Sequence, residues 1–177
     1  MGPGSNDNLL KIWDERLIKS SWSSGSRGDM DKPVFAFSHH KAAVKAIDWC
    51  PWKSNLLVSG GGTNDRFIRF WDTSHGTCID EKYTGCQIGS VLWSKTCHEL
   101  ISAGGVPDHK ITVWTYPKMT QLATLRGHFS RILHLCLSPD GQFAASLADE
   151  TLRFWRVFEK QKIKQTRSTL FSRAIIR

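Results

Sequence analysis

Four aspartates each stand six residues ahead of a tryptophan: Asp7 and Trp13, Asp65 and Trp71, Asp108 and Trp114, Asp149 and Trp155. A carboxylate at a turn can accept backbone N–H groups two residues on, an interaction that competes with extension of the preceding strand. Two of the four units add a histidine and a serine upstream, His40 with Ser59 and His128 with Ser146. Carboxylate, imidazole, hydroxyl and indole N–H in that order suit a buried hydrogen-bonded chain. The histidines align with the lead-ins of repeated units rather than with acids in a cleft, so the reading is of a protein that is not an enzyme. His98 and His134 are taken as incidental strand or turn residues.

The elements that would position these groups can be read from the residues between them. The third and fifth positions after each aspartate are apolar: Leu10 and Ile12, Ile68 and Phe70, Ile111 and Val113, Leu152 and Phe154. The position between is Lys11, Arg69, Thr112 or Arg153. Such alternation predicts a strand with one face toward a core and the other presenting longer polar stems. A second strand-like segment precedes three of the units, with Trp49, Trp93 and Leu137 each nine residues after His40, Thr84 and His128. Tryptophan-to-tryptophan intervals of 58, 43 and 41 residues describe units of about forty, the first lengthened by the Ser/Gly-rich stretch KSSWSSGSRGDMDK.

Composition sets the broad class. The chain has 177 residues, 40% hydrophobic and 23% charged, which predicts one globular domain with enough apolar surface for a core. No run approaches the eighteen apolar residues of a membrane span, and no charged segment leads into an apolar one at the N-terminus, so an intracellular protein with no membrane contact is expected. Five cysteines (Cys50, Cys78, Cys86, Cys97, Cys136) without a Cys-x-x-Cys pair argue against a disulfide framework or a zinc site, and are read as buried thiols. Neither metal nor cofactor is expected. Of the net charge of +8, six units fall on Lys160, Lys162, Lys164, Arg167, Arg173 and Arg177, in a segment with no acid. That tail lacks aromatic stacking platforms, so nucleic acid is not the expected partner.

GHFSRILHLCLSPDGQFAASLADETLRFW resembles a WD repeat, the four-stranded blade of a β-propeller, whose His-Ser/Thr-Asp-Trp tetrad matches His40, Ser59, Asp65, Trp71 and again His128, Ser146, Asp149, Trp155. The fold implied is all-β: a partial propeller over residues 1–159, of about three full blades plus a terminal strand pair, and a basic flexible tail over 160–177. Longer strings are more specific. HKAAVKAIDWCPWKSNLLVSGGGTNDRFIRFWD, SVLWSKTCHELIS, WTYPKMTQLATLRGHFSRIL, SPDG and ADETLRFW together resemble the Fizzy and Fizzy-related family, co-activators of the anaphase-promoting complex.

The resemblance implies a receptor for short degrons that delivers its cargo to a ubiquitin ligase in the nucleus and cytoplasm, with ligase subunits and degron-bearing cell-cycle proteins as partners. By position it implies that Asn6 and Asn8 of NDN, Thr63 of GGGT, Gln87 and Arg131 of GHFSR receive a Lys-Glu-Asn box. Amides and a hydroxyl suit polar side chains and backbone, and a guanidinium suits the glutamate. Glu150 of ADET is the implied acid for the arginine of a destruction box, and the terminal Ile176 and Arg177 the implied ligase-docking tail. The family ring has seven blades, so about half is expected here, with open blade edges offering a route to self-association. The alternative is a generic WD-repeat scaffold whose basic tail binds something else.

Overall fold

The computed structural model describes residues 5–14 and 32–158. Each predicted alternating segment is a strand, and within each sheet the strands hydrogen-bond in sequence order. A front sheet pairs β1 (Leu10–Ile12) with β2 (Phe35–Phe37). The second holds β3 (Val44–Trp49), β4 (Leu56–Gly61), β5 (Phe67–Asp72) and β6 (Thr77–Tyr83). The third holds β7 (Ile88–Trp93), β8 (Glu99–Gly104), β9 (Lys110–Thr115) and β10 (Gln121–Arg126). The last holds β11 (His134–Leu137), β12 (Phe143–Ala148) and β13 (Thr151–Arg156). All pairings are antiparallel, and no helix occurs among the described residues. Two sheets are therefore complete four-stranded blades, and the blade after them shows three strands among the described residues. The basic tail, with Ile176 and Arg177, lies outside the described residues.

The core lies between the sheets. Leu10, Ile12 and Phe37 of the front sheet pack on Leu57 and Trp71 of the second. Val58, Ile68 and Phe70 meet Ile88, Val91 and Trp93 of the third. Ile101, Ile111 and Val113 meet Ile132, Leu135 and Ala144 of the last. The apolar pair after each of the first three aspartates thus fills the gap to the following sheet, at about 1.5–3 kcal/mol for each large side chain fully buried, whereas Leu152 and Phe154 after Asp149 are exposed. The opposite face departs from expectation. Arg69 and Thr112 are buried rather than presented to water, because a sheet inside a stack is covered on both sides. Arg69 meets the electrostatic requirement by pairing with Asp65 at 2.7 Å and Glu81 at 3.1 Å. The cysteines divide as well. Cys50, Cys86 and Cys97 are buried as expected, Cys78 is half-buried, and Cys136 is exposed because it faces outward from β11.

Both predicted tetrads are assembled. The Trp71 indole N–H donates to Ser59 Oγ at 2.7 Å, and Ser59 bonds His40 Nε2 at 2.6 Å. His40 Nδ1 in turn bonds the Asp65 carboxylate, which also accepts Arg69 at 2.7 Å. One tautomer satisfies the chain: Nδ1–H donates to the carboxylate and Nε2 accepts the serine proton. In the last sheet Trp155, Ser146, His128 and Asp149 repeat the arrangement at 2.8, 2.7 and 2.7 Å. The third sheet keeps only half of it. Trp114 donates to Ser102 Oγ at 2.8 Å, while Asp108 turns to Lys110 at 2.5 Å and Thr84 takes the histidine's place, bonding the carbonyls of Arg66 and Cys86. The carboxylate was expected to accept an N–H two residues on, and Asp7 does so from Leu9 at 3.0 Å. Asp65 and Asp149 spend theirs on histidine instead.

Burial lowers the His40 imidazole below its ordinary 6.5, the Arg69 charge adds to this, and the Asp65 hydrogen bond opposes it. Burial raises the Asp65 carboxyl, but hydrogen bonds from Arg69 and His40 outweigh it and hold the group below 3.8. The folded state therefore prefers neutral His40 and ionised Asp65, and the unfolded chain binds more protons as pH falls. Stability from His40 is complete above pH 6.5 and declines as pH drops below that value, and Asp65 adds a second decline below 3.8. Thermal melting of the wild type should fall between pH 7 and 5, and His40→Gln should start lower but decline less steeply over that range. Equal slopes for the two proteins would show that His40 is not the titrating group.

Candidate functional site

One end of the stack collects every loop in which a binding residue was expected. The register places Val44 opposite Gly61, and Phe67 opposite Tyr83, so the lead-in to β3, the β4–β5 turn and the exit from β6 share one rim. The third sheet repeats this with Ile88 opposite Gly104 and Lys110 opposite Arg126. The turn before β1 reaches the same rim, since Val44 N–H donates to the Ser5 carbonyl at 3.2 Å. Asn6 and Thr63 are exposed there and Asn8 is half-buried. Glu150 lies exposed in the β12–β13 turn, on the rim of the last sheet.

Backbone strain is concentrated at equivalent places. The residue following each repeat aspartate has positive φ: Asn8 at 65°, Arg66 at 60°, His109 at 45° and Glu150 at 58°. Asparagine tolerates this region, and the other three pay about 1 kcal/mol or more each. In the last sheet Asp149 also has φ 44°, and Ala148 pairs with Thr151, so two residues make a tight hairpin of the primed type. This shorter connection, with Ser146 three residues before its aspartate, still delivers the tetrad at normal distances. Burial raises the Asp149 carboxyl, but the Phe129 N–H at 3.2 Å and His128 outweigh it, and the net shift is downward.

Gln87 and Arg131 are brought into one pocket. It has a volume of about 200 Å³ and is lined by Lys45, Gln87, Gly89, Gly105 and residues Arg131 to His134. Two β-bulges build it. Val44 and Ala46 pair with consecutive residues of β4, leaving Lys45 as the extra residue, and Gly89 is the extra residue of β7 in the same way. A bulge bends its strand and re-aims the side chain, which brings Lys45 to the pocket. Gly89 is required by close approach, since a Cβ there would lie 2.8 Å from the Ile132 carbonyl of the neighbouring sheet. Gly105 donates its N–H to the Gln87 carbonyl at 2.8 Å, fixing the backbone that carries Gln87.

The lining contains three nitrogen-bearing basic side chains, Lys45, Arg131 and His134, one amide and no acid. Among the described residues no hydrogen bond or ion pair engages the side chains of Lys45, Gln87, Arg131 or His134, so the pocket offers free donors to an acceptor-rich or anionic group. Asn6, Asn8, Thr63 and Glu150 are on the rim but outside this pocket. Lys45 and His134 were missed in the sequence. Lys45 looks like one more polar residue of an alternating strand, and His134, read as incidental, opens β11 at the pocket wall. His98, by contrast, stacks 4.3 Å from Trp52, away from the pocket lining. No group of three His, Cys, Asp or Glu residues able to hold a metal ion occurs among the described residues.

Stacked antiparallel sheets carrying Asp-His-Ser-Trp relays define a WD-repeat β-propeller protein, here as an open arc. The WD domain, G-beta repeat family matches residues 31–72 and 119–156. Anaphase-promoting complex subunit cdc20 of Dictyostelium discoideum is 46% identical over 91% of this chain and 30% of its own length. B-type cell cycle switch protein ccs52B of Medicago truncatula is 44% identical over 92% of this chain and 31% of its own. Anaphase-promoting complex subunit cdh1 of D. discoideum is 42% identical over 97% and 25%. A solved chain of the Mitotic Checkpoint Complex superposes with a TM-score of 0.79 at 39% identity, covering 89% of this chain and 45% of that one. The chain belongs to this Cdc20/Cdh1, or Fizzy-related, family, and spans between a quarter and about a third of the length of these curated relatives.

Replacing Gly89 by alanine must push two sheets apart, because the obstacle is backbone rather than a mobile side chain. The expected cost is about 1–3 kcal/mol, read as a lower denaturant midpoint. An unchanged midpoint would show that the sheets are not held at this distance.

Proposed function

We propose that this chain is the part of an anaphase-promoting complex co-activator that reads degrons, acting as a non-catalytic adaptor. The observation that carries the reading is the acid-free pocket holding Gln87, Arg131 and Lys45 with their polar ends unpartnered. Its chemistry suits a peptide that presents a carboxylate beside amide or backbone acceptors, as a Lys-Glu-Asn box does. Asn6, Asn8 and Thr63 on the same rim would hold the flanking backbone, and Glu150 would take the arginine of a destruction box. The names of the relatives support the ligase assignment, since they are anaphase-promoting complex subunits or cofactors.

A labelled Lys-Glu-Asn peptide should bind with measurable anisotropy change, and a triple-alanine version should not. Arg131→Ala should weaken binding about tenfold or more, the scale of one lost charge-assisted contact, and raised salt should weaken the wild type further. Equal affinity for both peptides would remove the degron reading.

In the same reading the free carboxyl end, with Ile176 and Arg177, docks the ligase. Deleting those two residues should abolish co-precipitation with the anaphase-promoting complex while leaving peptide affinity unchanged. Retained co-precipitation would instead favour the generic scaffold.

A further inference from the structure

The candidate pocket gathers positive charge from separate sheets. Lys45 comes from β3, Arg131 from the segment entering β11, His134 from the start of β11, and the Gln87 amide from the lead-in to β7. β7 packs against both β3 and β11, so the walls are adjacent and the pocket lies inside the arc. Its floor is bare backbone at Gly105. A Cβ there would lie 2.9 Å from Gln87 Oε1 and 3.4 Å from Arg131 Cβ, so those two side chains flank one point. Lys45, Arg131 and His134 are exposed at the mouth, and no acid lines the pocket. Like charges held in one cleft repel each other and draw in anions. A single carboxylate does not answer the whole set, because its two oxygens are matched by the planar fork of Arg131 alone. The Lys45 ammonium is then left without an acceptor. A phosphate monoester carries about −1.5 to −2 charges and three acceptor oxygens, enough to meet both cations and one neutral donor together.

We propose that the pocket takes a phosphorylated serine or threonine side chain of a bound peptide, with Lys45 as the residue that distinguishes phosphate from carboxylate. The proposal rests on the pocket being where a peptide is read, and it adds the chemistry of a preferred side chain. Arg131 supplies two parallel N–H donors, Lys45 a point charge, and Gln87 or His134 an N–H for the third oxygen. The part played by Lys45 depends on the bulge of β3. Val44 and Ala46 pair with the consecutive residues Gly61 and Gly60, and the extra residue between them is turned out of the pleat. Ile132 and Leu133 add an apolar wall, which suits the stem of a side chain rather than a bare ion. A peptide also fits better than a polyanionic surface. Nucleic acid and anionic membranes are held by many cations spread over one face. Residues 160–177 hold six of the net eight positive charges, leaving +2 elsewhere, so the pocket is set in a nearly neutral body.

Three labelled peptides that differ only at the middle of Lys-x-Asn, with phosphoserine, glutamate or serine at x, test this by anisotropy on the full chain. The phosphoserine peptide should bind about tenfold more tightly than the glutamate peptide, the scale of one added charge-assisted contact, and the serine peptide most weakly. Lys45→Gln should cut the phosphoserine-to-glutamate ratio to about twofold, while Lys45→Arg keeps it near tenfold. Because Lys45 is exposed, both variants should melt like the wild type. A phosphoserine peptide that binds no more tightly than the glutamate one, or a ratio unchanged by Lys45→Gln, would overturn the proposal. Displacement of the phosphoserine peptide by inorganic phosphate or by phosphatidylserine vesicles as readily as by its own unlabelled form would overturn it too. Equal binding of the glutamate and triple-alanine peptides, with the phosphoserine preference intact, would remove the degron reading and leave this one standing.

Discussion

Everything in this structure depends on the burial of one sheet against the next. No strand here has enough apolar surface to stand alone, and the alternating pair after each aspartate is useful only when another sheet closes over it. Ile68 and Phe70 illustrate this, being enclosed because β7 lies across them. The buried relay follows from the same stacking. Once Trp71, Ser59 and His40 are enclosed between sheets, their polar atoms must bond one another, since an unmade hydrogen bond in such a place costs more than a made one contributes. Arg69 shows the limit of tolerance. It is a charge inside the stack that is accommodated by two carboxylates, one buried with it and one reaching in from β6.

Stacking also explains why the candidate site lies where it does. Sheets that pack face to face around an arc bring their innermost strands close at one side, and the backbone must deviate to fit. The bulges at Lys45 and Gly89 and the positive φ after each aspartate are these deviations. They cost conformational energy, and the same irregularities turn polar side chains toward a common rim. The pocket is therefore a product of three sheets meeting, with contributions from β3, β7, β8 and the segment entering β11. No single repeat contains it: the second, third and last sheets each supply one wall, and the front sheet supplies none.

Much of the fold was legible because its signals are local. Asp7, Asp65, Asp108 and Asp149 stand at one spacing from tryptophan, and the period-two pattern between them is fixed by the pleat of a strand, which needs no tertiary information. The resemblance to WD repeats extended this to the His40 and His128 relays, and both were assembled at hydrogen-bonding distance. Less legible was the third sheet, where Ser102 keeps its tryptophan but Thr84 and Asp108 find other partners. Spacing alone cannot distinguish an aspartate that meets a histidine from one that meets a lysine two residues away.

What the amino-acid sequence determined by itself is the set of strands, their turns and the identity of the polar residues, because propensity and alternation act over a few neighbouring residues. Which of those polar residues meet was decided by tertiary structure. Gln87 and Arg131 share a pocket because two sheets abut, Lys45 joins them because a bulge turns it there, and Asn6, Asn8, Thr63 and Glu150 stay apart on the rim. Arg69, expected in water, is buried because a following strand and a preceding sheet enclose it. Cys136, expected in the core, is exposed because its face of the last sheet is open. Burial of a strand face is a property of the neighbour that covers it, and that neighbour is encoded elsewhere in the sequence.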